Sequence, residues 1–255
     1  MEIALTNPFE AHGITHLSPS TCNTFVASPA AFVLQKCLKK SNVVGAAAHR
    51  GTAVEDGVSH GLMNPDASLA DCVKIARERF DTLCAFLSGE KVEKERNGLA
   101  GMVEMGLAEL RPYGIPSSTQ GAISHTFEGL TVPMIGYYDF EWEQHGRLTD
   151  LKTSHALTSK IKINHARQVA LYRAARGDNL QAMVTYITSK KRATYALENA
   201  REHVASLGKI GLAIQKFLSL STDPMELASF VMPDVESFYF DDPAIRQEVF
   251  EVWGV

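Results

Sequence analysis

The feature that most constrains this chain is a change of pattern near residue 121. From there, Ala122 to Phe127, Leu130 to Trp142 and Arg147 to Lys152 are dense in β-branched and aromatic residues, punctuated by Glu128-Gly129 and His145-Gly146. Such runs favour pleated strands and the glycine dipeptides supply tight turns, so the three read as consecutive antiparallel strands. Helical spacing lies on both sides. Ser18-Pro19 and Ser28-Pro29 each set a capping hydroxyl ahead of a proline suited to the first helical position, and the second helix should run through Phe32, Val33 and Leu34. After a loop from Gly45 to Arg50, Thr52 can cap a helix on which Val54, Val58 and Leu62 recur every four residues, with Glu55 on an adjoining face. Leu69 to Phe86 and Gly101 to Leu110 are also helical in pattern. Downstream, Ile163 to Arg176 has helical spacing closed by Gly177-Asp178, Ala182 to Thr188 reads as a buried strand, and Thr194 to Leu218 reads as a long helix. This order predicts an α/β core, a central mixed sheet flanked by helices and preceded by an N-terminal helical segment.

With 255 residues, 45% of them hydrophobic, the chain can bury one substantial core. We expect a single domain over 1–255: a mainly helical part over 14–120, a hairpin, helix and strand over 121–192, and a C-terminal helix and tail over 193–255. No apolar run approaches the roughly 20 residues that span a bilayer. Residues Met1 to Thr15 carry acids and Pro8 rather than a basic stretch followed by an apolar one, so a cytoplasmic protein without a membrane partner is expected. Cys22, Cys37, Cys72 and Cys84 form no CxxC pair and have no suitably spaced histidine, and HExxH is absent, which argues against zinc.

Chemistry concentrates in Gly136-Tyr137-Tyr138-Asp139-Phe140 and Asp150-Leu151-Lys152-Thr153-Ser154. Strand residues two apart project the same way, so Asp150 and Lys152 share a side. A hairpin turning at His145-Gly146 would bring Asp139 beside Asp150. Two carboxylates held close repel each other, and a hard divalent cation relieves that. Mg²⁺, or Mn²⁺ in its place, could take oxygens from both acids and from the Leu151 backbone carbonyl, while Lys152 holds or polarises a water for phosphodiester hydrolysis. Asp150 and Lys152 alone fit a solvent-facing hairpin better, since D-x-K arises freely by chance; their neighbours decide.

Those neighbours resemble the RecB-like, phage-type exonuclease branch of the PD-(D/E)XK nucleases. Four stretches match in order: Gly51-Thr52-Ala53-Val54-Glu55, Gly136-Tyr137-Tyr138-Asp139, Asp150-Leu151-Lys152-Thr153-Ser154, and Gln168-Val169-Ala170-Leu171-Tyr172, which is similar to the family's QxxxY motif. Leu17-Ser18-Pro19-Ser20 with Ser28-Pro29 resembles the family's opening helices, so the likeness covers about 14–190. The resemblance implies a restriction-endonuclease-like core, with Glu55, Asp139 and Asp150 as metal ligands and Lys152 as a catalytic residue. Gln168 and Tyr172 would either support the site or contact the nucleic acid. Many RecB-like members have a histidine where this chain has Glu55. Members with an iron–sulphur cluster have a cysteine where Ser28 stands, so no cluster is expected.

Charge adds a separate indication. The chain is −4 overall, yet Asp150 to Arg192 holds nine basic residues against two acids, a net +7, leaving −11 for the remainder. A basic stretch ending in Lys190-Lys191-Arg192 suits a groove that follows phosphates. The expected activity is Mg²⁺-dependent hydrolysis of DNA by an exonuclease of recombination, repair or phage DNA processing, in host cytoplasm if phage-encoded. A structure-specific or restriction-type endonuclease and a non-catalytic DNA-binding module are the alternatives. GxxxxGK[ST] is absent, so unwinding would need a helicase; a recombinase or annealing protein is the other expected partner, and oligomeric state stays open.

Overall fold

A computed structural model of the chain describes residues 7–40, 44–177 and 179–255, so Asp178, expected to close a helix, lies outside the described residues. In chain order the elements are α1 (Pro8–Ala11), α2 (Pro19–Ala27), α3 (Pro29–Phe32, continued by a π-helical turn over Val33–Cys37), α4 (Ala46–Met63), α5 (Leu69–Leu83), α6 (Glu90–Leu110), β1 (Ser118–His125), β2 (Met134–Trp142), β3 (Arg147–Thr153), α7 (Ile163–Arg176), β4 (Gln181–Ile187), β5 (Arg192–Ala196), α8 (Ala200–Leu218), α9 (Pro224–Ser229) and α10 (Pro243–Trp253). They fall into two compact units. One comprises Met1–Val43, Ser124–Gly136 and Arg201–Val255, and the other Val44–Ile123 and Tyr137–Ala200.

In the first unit the two Ser-Pro pairs cap as their chemistry dictates. The Ser18 hydroxyl accepts from the Thr21 N–H at 3.1 Å, and that of Ser28 from the Ala31 N–H at 3.2 Å. Ala30, Ala31 and Leu34 pack with Phe240, Ile245 and Val249, so the C-terminal tail folds back as α9 and α10 onto α3. Leu17 pairs with the strand segment at Met134, its N–H reaching the Pro133 carbonyl at 3.0 Å.

The second unit is built on a five-stranded mixed sheet of order β1-β2-β3-β4-β5. β2 and β3 are antiparallel, joined through a 3₁₀ turn at Glu143–His145 and Gly146, whose φ of 55° is the left-handed conformation that glycine adopts without penalty. β3 and β4 are parallel, which requires a crossover, and α7 supplies it. β4 and β5 are again antiparallel. Helices cover both faces of the sheet. Phe140, Trp142, Leu151 and Ile187 join one apolar core with residues of α4, α5 and α6, among them Val54, Val58, Phe80 and Leu107. Alternation sends Glu141 the other way, where Arg176 of α7 meets it at 3.1 Å. α4 and α5 pack closely at Gly57, where an added Cβ would stand 2.7 Å from the Cys72 carbonyl oxygen.

Three element boundaries differ most from those read in the sequence. α4 begins at Ala46 rather than after a loop to Arg50, because Ala46-Ala47-Ala48 are strong helix formers. α6 begins at Glu90 rather than Gly101, with Glu90 and Glu93 favourably placed in its first turn. The expected helix from Thr194 starts only at Ala200. Residues 192–196 instead pair along β4, where the Thr185 and Thr194 hydroxyls meet at 2.9 Å. The strand region therefore spans 118–196 instead of 121–192.

Candidate active site

All the expected site residues described below lie in the second unit. The β2–β3 ladder runs Trp142↔Arg147, Glu141↔Leu148, Phe140↔Thr149, so its next step brings Asp139 beside Asp150. Asp139 is 9% exposed, and its Oδ2 accepts from the Leu151 N–H at 2.6 Å. Asp150 is fully buried at 0% exposure. Lys152 Nζ stands 2.7 Å from Asp150 Oδ2 as an ion pair, while Oδ1 meets no hydrogen-bond donor of the protein.

This crowding moves every titration in the cluster. Burial, then the charges of Asp150 and Glu55, hold the Asp139 carboxyl well above its ordinary range, against the pull of Lys152 and the Leu151 N–H. Burial also raises Asp150, with Lys152 opposing. Burial by itself would lower the Lys152 ammonium, but Asp150 and Asp139 outweigh it and push it up to about 12. The lysine is therefore a firm cation beside two reluctant anions.

Glu55 on α4 reaches the same electrostatic neighbourhood. Burial raises its carboxyl, the Gln120 hydrogen bond lowers it, and Asp150 raises it further. Gln120 Nε2 donates to its Oε1 at 3.0 Å. Gln120 has a φ of 49°, an uncommon backbone state for a residue with a Cβ. Nothing in the sequence marked it.

Gln168 and Tyr172 sit one turn apart on α7, and the Gln168 amide donates to the Tyr172 hydroxyl at 2.5 Å. Burial, then the charge of Asp150, raises the Tyr172 hydroxyl. Its aromatic neighbour is Tyr138, at 6.5 Å between ring centres. The expected pair thus bonds to itself, with Tyr172 within electrostatic reach of the carboxylates. His165, missed in the sequence, faces the same region: its Nδ1 meets the Tyr186 hydroxyl at 2.7 Å, and burial, then the charges of Lys152 and Lys162, push it down to about 4.

The basic stretch divides. The parallel register Lys152↔Tyr186 and Thr153↔Ile187 puts the turn after β4 at the same end of the sheet as Lys152. Lys190 and Lys191 are exposed on that turn, which the Thr188 hydroxyl orders by accepting from both of their N–H groups at 3.2 and 2.9 Å. Arg192 is committed to Glu109 at 3.0 Å, and Arg176 to Glu141.

Among the described residues, no three His, Cys, Asp or Glu side chains are gathered closely enough to hold a metal ion between them. Asp139 and Asp150 are the two carboxylates at the heart of the cluster, and the donor set is hard oxygen. A buried carboxylate oxygen without a donor fits Mg²⁺, which uses one or two protein carboxylates and fills its other positions with water and phosphate oxygens. Cys22, Cys37, Cys72 and Cys84 are free and buried. No helix among the described residues is long and apolar enough to cross a membrane.

No curated protein sequence matches the chain. Among solved structures, the crystal structure of SSO0001 is similar over 65% of this chain and 85% of that one, at 15% identity and a TM-score of 0.35, too slight a likeness to carry an argument. The sequence model of the PD-(D/E)XK nuclease superfamily matches residues 16–240, from Leu17 through the carboxylates, Lys152 and α7. With that match over most of its length, the chain belongs to the PD-(D/E)XK nuclease superfamily, whose members are metal-dependent enzymes that hydrolyse phosphodiester bonds.

Proposed function

We propose that this protein is a Mg²⁺-dependent deoxyribonuclease of the RecB-like branch, an exonuclease working on DNA ends in recombination, repair or phage DNA processing. The observation that carries the reading is the buried pair Asp139 and Asp150, with an Asp150 oxygen free of hydrogen bonds and Lys152 alongside. Asp139, Asp150 and the Leu151 carbonyl would hold the ion, with Glu55 as a peripheral ligand. A bound Mg²⁺ supplies Lewis-acid polarisation of the scissile phosphate and neutralises developing charge.

The chain's own groups do the rest. Lys152, charged at any working pH, donates to a phosphate oxygen or orients the attacking water. Gln168 and Tyr172 brace the floor under Asp150 and Asp139. Lys190 and Lys191 take phosphates of the DNA backbone from the turn at the Lys152 end of the sheet. We read the whole chain as one nuclease domain, since the family match runs through segments of both units. The cell compartment proposed is the cytoplasm, with a recombinase, annealing protein or helicase as working partner.

The test incubates linear and covalently closed circular DNA with the protein in Mg²⁺, Mn²⁺ or EDTA. The expected result is release of nucleotides from linear DNA only, and only with metal. Cutting of the closed circle would make the enzyme an endonuclease. Binding without cleavage of either substrate in both metals would leave a non-catalytic DNA-binding module.

A further inference from the structure

Beside the carboxylate cluster lies a second set of buried charges that the reaction does not use. Arg50, in the first turns of α4, is 5% exposed, and each of its three guanidinium nitrogens has a partner. Its Nε donates to the Thr153 hydroxyl at 3.2 Å, its Nη2 to the Thr153 carbonyl at 3.3 Å, and its Nη1 pairs with Glu95 of α6. Glu95 is equally enclosed and meets His155 Nε2 at 3.0 Å. Burial pushes the Glu95 carboxyl up, but His155 and Arg50 outweigh it and hold it below its ordinary value.

A buried ion pair is a poor way to gain stability, since apolar side chains of the same volume do as well or better. What a guanidinium offers that apolar packing does not is a rigid fork of donors with fixed directions. Here the fork grips one residue twice, by hydroxyl and by carbonyl. That residue follows Lys152 directly and ends β3. The neighbouring Ser154 N–H is held on the other side by the Ile187 carbonyl at 2.9 Å. Arg50 also shares α4 with Glu55, so the same grip ties the Glu55 helix to the end of the lysine strand.

We propose that Arg50 and Glu95 are positioning residues: Arg50, oriented by Glu95, clamps Thr153 and so fixes Lys152 against Asp150. This rests on the reading of Lys152 as catalytic. Neither residue touches the cleavage centre; they act through the strand end. A displacement of about 1 Å at a reacting group can cost about a hundredfold in rate, so a loosened clamp should show in turnover before it shows in binding.

The experiment uses the full chain with Arg50→Lys and, separately, Thr153→Val. Lysine keeps the charge for Glu95 but cannot donate to both Thr153 oxygens, and valine removes the hydroxyl without leaving a charge unpaired. Hydrogen exchange is followed in metal-free, DNA-free protein over peptides covering 150–156. Turnover, KM for linear DNA and Mn²⁺ affinity are measured alongside. Exchange in 150–156 is expected to rise about tenfold or more in Arg50→Lys and less in Thr153→Val, with α7 unchanged. Turnover is expected to fall about ten- to a hundredfold with KM and Mn²⁺ affinity within about twofold of wild type. Wild-type exchange at 150–156 in both variants overturns the proposal whatever their activity. If Arg50→Lys does not fold, Thr153→Val decides alone. A wild type that cleaves nothing defeats the nuclease reading, while the exchange result still decides the clamp.

Discussion

Replacing Lys152 by methionine separates two roles, the compensation of a buried anion, which the ion pair with Asp150 shows, and the proposed action on the substrate. Its Nζ lies 2.7 Å from Asp150 Oδ2, with the lysine side chain 26% exposed and the aspartate 0%. At an effective dielectric of about 20 that separation corresponds to a gross attraction of roughly 6 kcal/mol. Breaking a buried pair typically costs about 3–5 kcal/mol, and the partial exposure of Lys152 lowers the expectation to about 2–4 kcal/mol. Proton uptake caps the loss further, since burial already raises the Asp150 carboxyl. For a chain of this size each kcal/mol moves the melting temperature by about 2–4 °C, so metal-free Lys152→Met should melt about 5–15 °C below wild type.

Mn²⁺ should raise both melting temperatures, since ligand at about 100 times its Kd adds about 2.7 kcal/mol to any folded state that binds it. It should narrow the gap only by as much as the variant binds the ion more tightly than wild type. Without Lys152 to repel it, the ion should bind at least as tightly as in wild type. Cleavage should nonetheless be slower by about a hundredfold or more, because the positioned donor is gone. Differential scanning calorimetry with and without Mn²⁺, an isothermal Mn²⁺ titration and a linear-DNA assay measure these together. Weaker Mn²⁺ binding, or an unchanged metal-free melting temperature, would refute the electrostatic reasoning. Near-normal cleavage would remove Lys152 from the catalytic role.

Three further expectations follow from the same geometry. Glu55→Gln should weaken Mn²⁺ binding less than Asp150→Asn, which should abolish both binding and cleavage; calorimetric titration ranks them, and a Glu55→Gln protein that binds and cleaves like wild type would take Glu55 out of the site. Neutralising Lys190 and Lys191 should lower the slope of log affinity against log salt by up to about 2, at about 0.9 for each phosphate contact, whereas Arg192→Ala should add little because Glu109 already holds that side chain; filter binding across a salt series reads both. Asp139→Asn keeps an acceptor for the Leu151 N–H and removes a buried charge whose carboxyl is held well above its ordinary value by burial and by Asp150 and Glu55. A raised folded-state value favours the metal-free fold below the unfolded value of about 4, and that advantage is lost as pH rises through the folded value. The asparagine variant should therefore melt above wild type by a margin that opens as pH rises from about 4, and a margin independent of pH would count against the coupling.

Much of the site was legible because strand chemistry is local. Asp150 and Lys152 two apart share a side by the pleat alone, and His145-Gly146 supplies the turn that carries Asp139 back to them. Ser18-Pro19 and Ser28-Pro29 were equally plain, since a hydroxyl and a proline fix a helix start without tertiary help. What escaped depends on distant partners. The segment at Thr194 has its strand state from β4, and Arg192 has its neutral surroundings from Glu109 on α6. Gln120 takes a left-handed backbone to reach Glu55, and Arg50 and Glu95, 45 residues apart, look like ordinary surface charges of two helices. No spacing rule in a single sequence brings such groups together.

Crystals of the protein soaked in Mn²⁺ and measured at the manganese absorption edge test most directly that Asp139 and Asp150 hold the catalytic ion. An anomalous peak between the two carboxylates, about 2.0–2.3 Å from an oxygen of each and lost in Asp150→Asn, is the expected result. A soaked crystal with no peak at these aspartates, from protein that cleaves linear DNA in the same Mn²⁺, would contradict it.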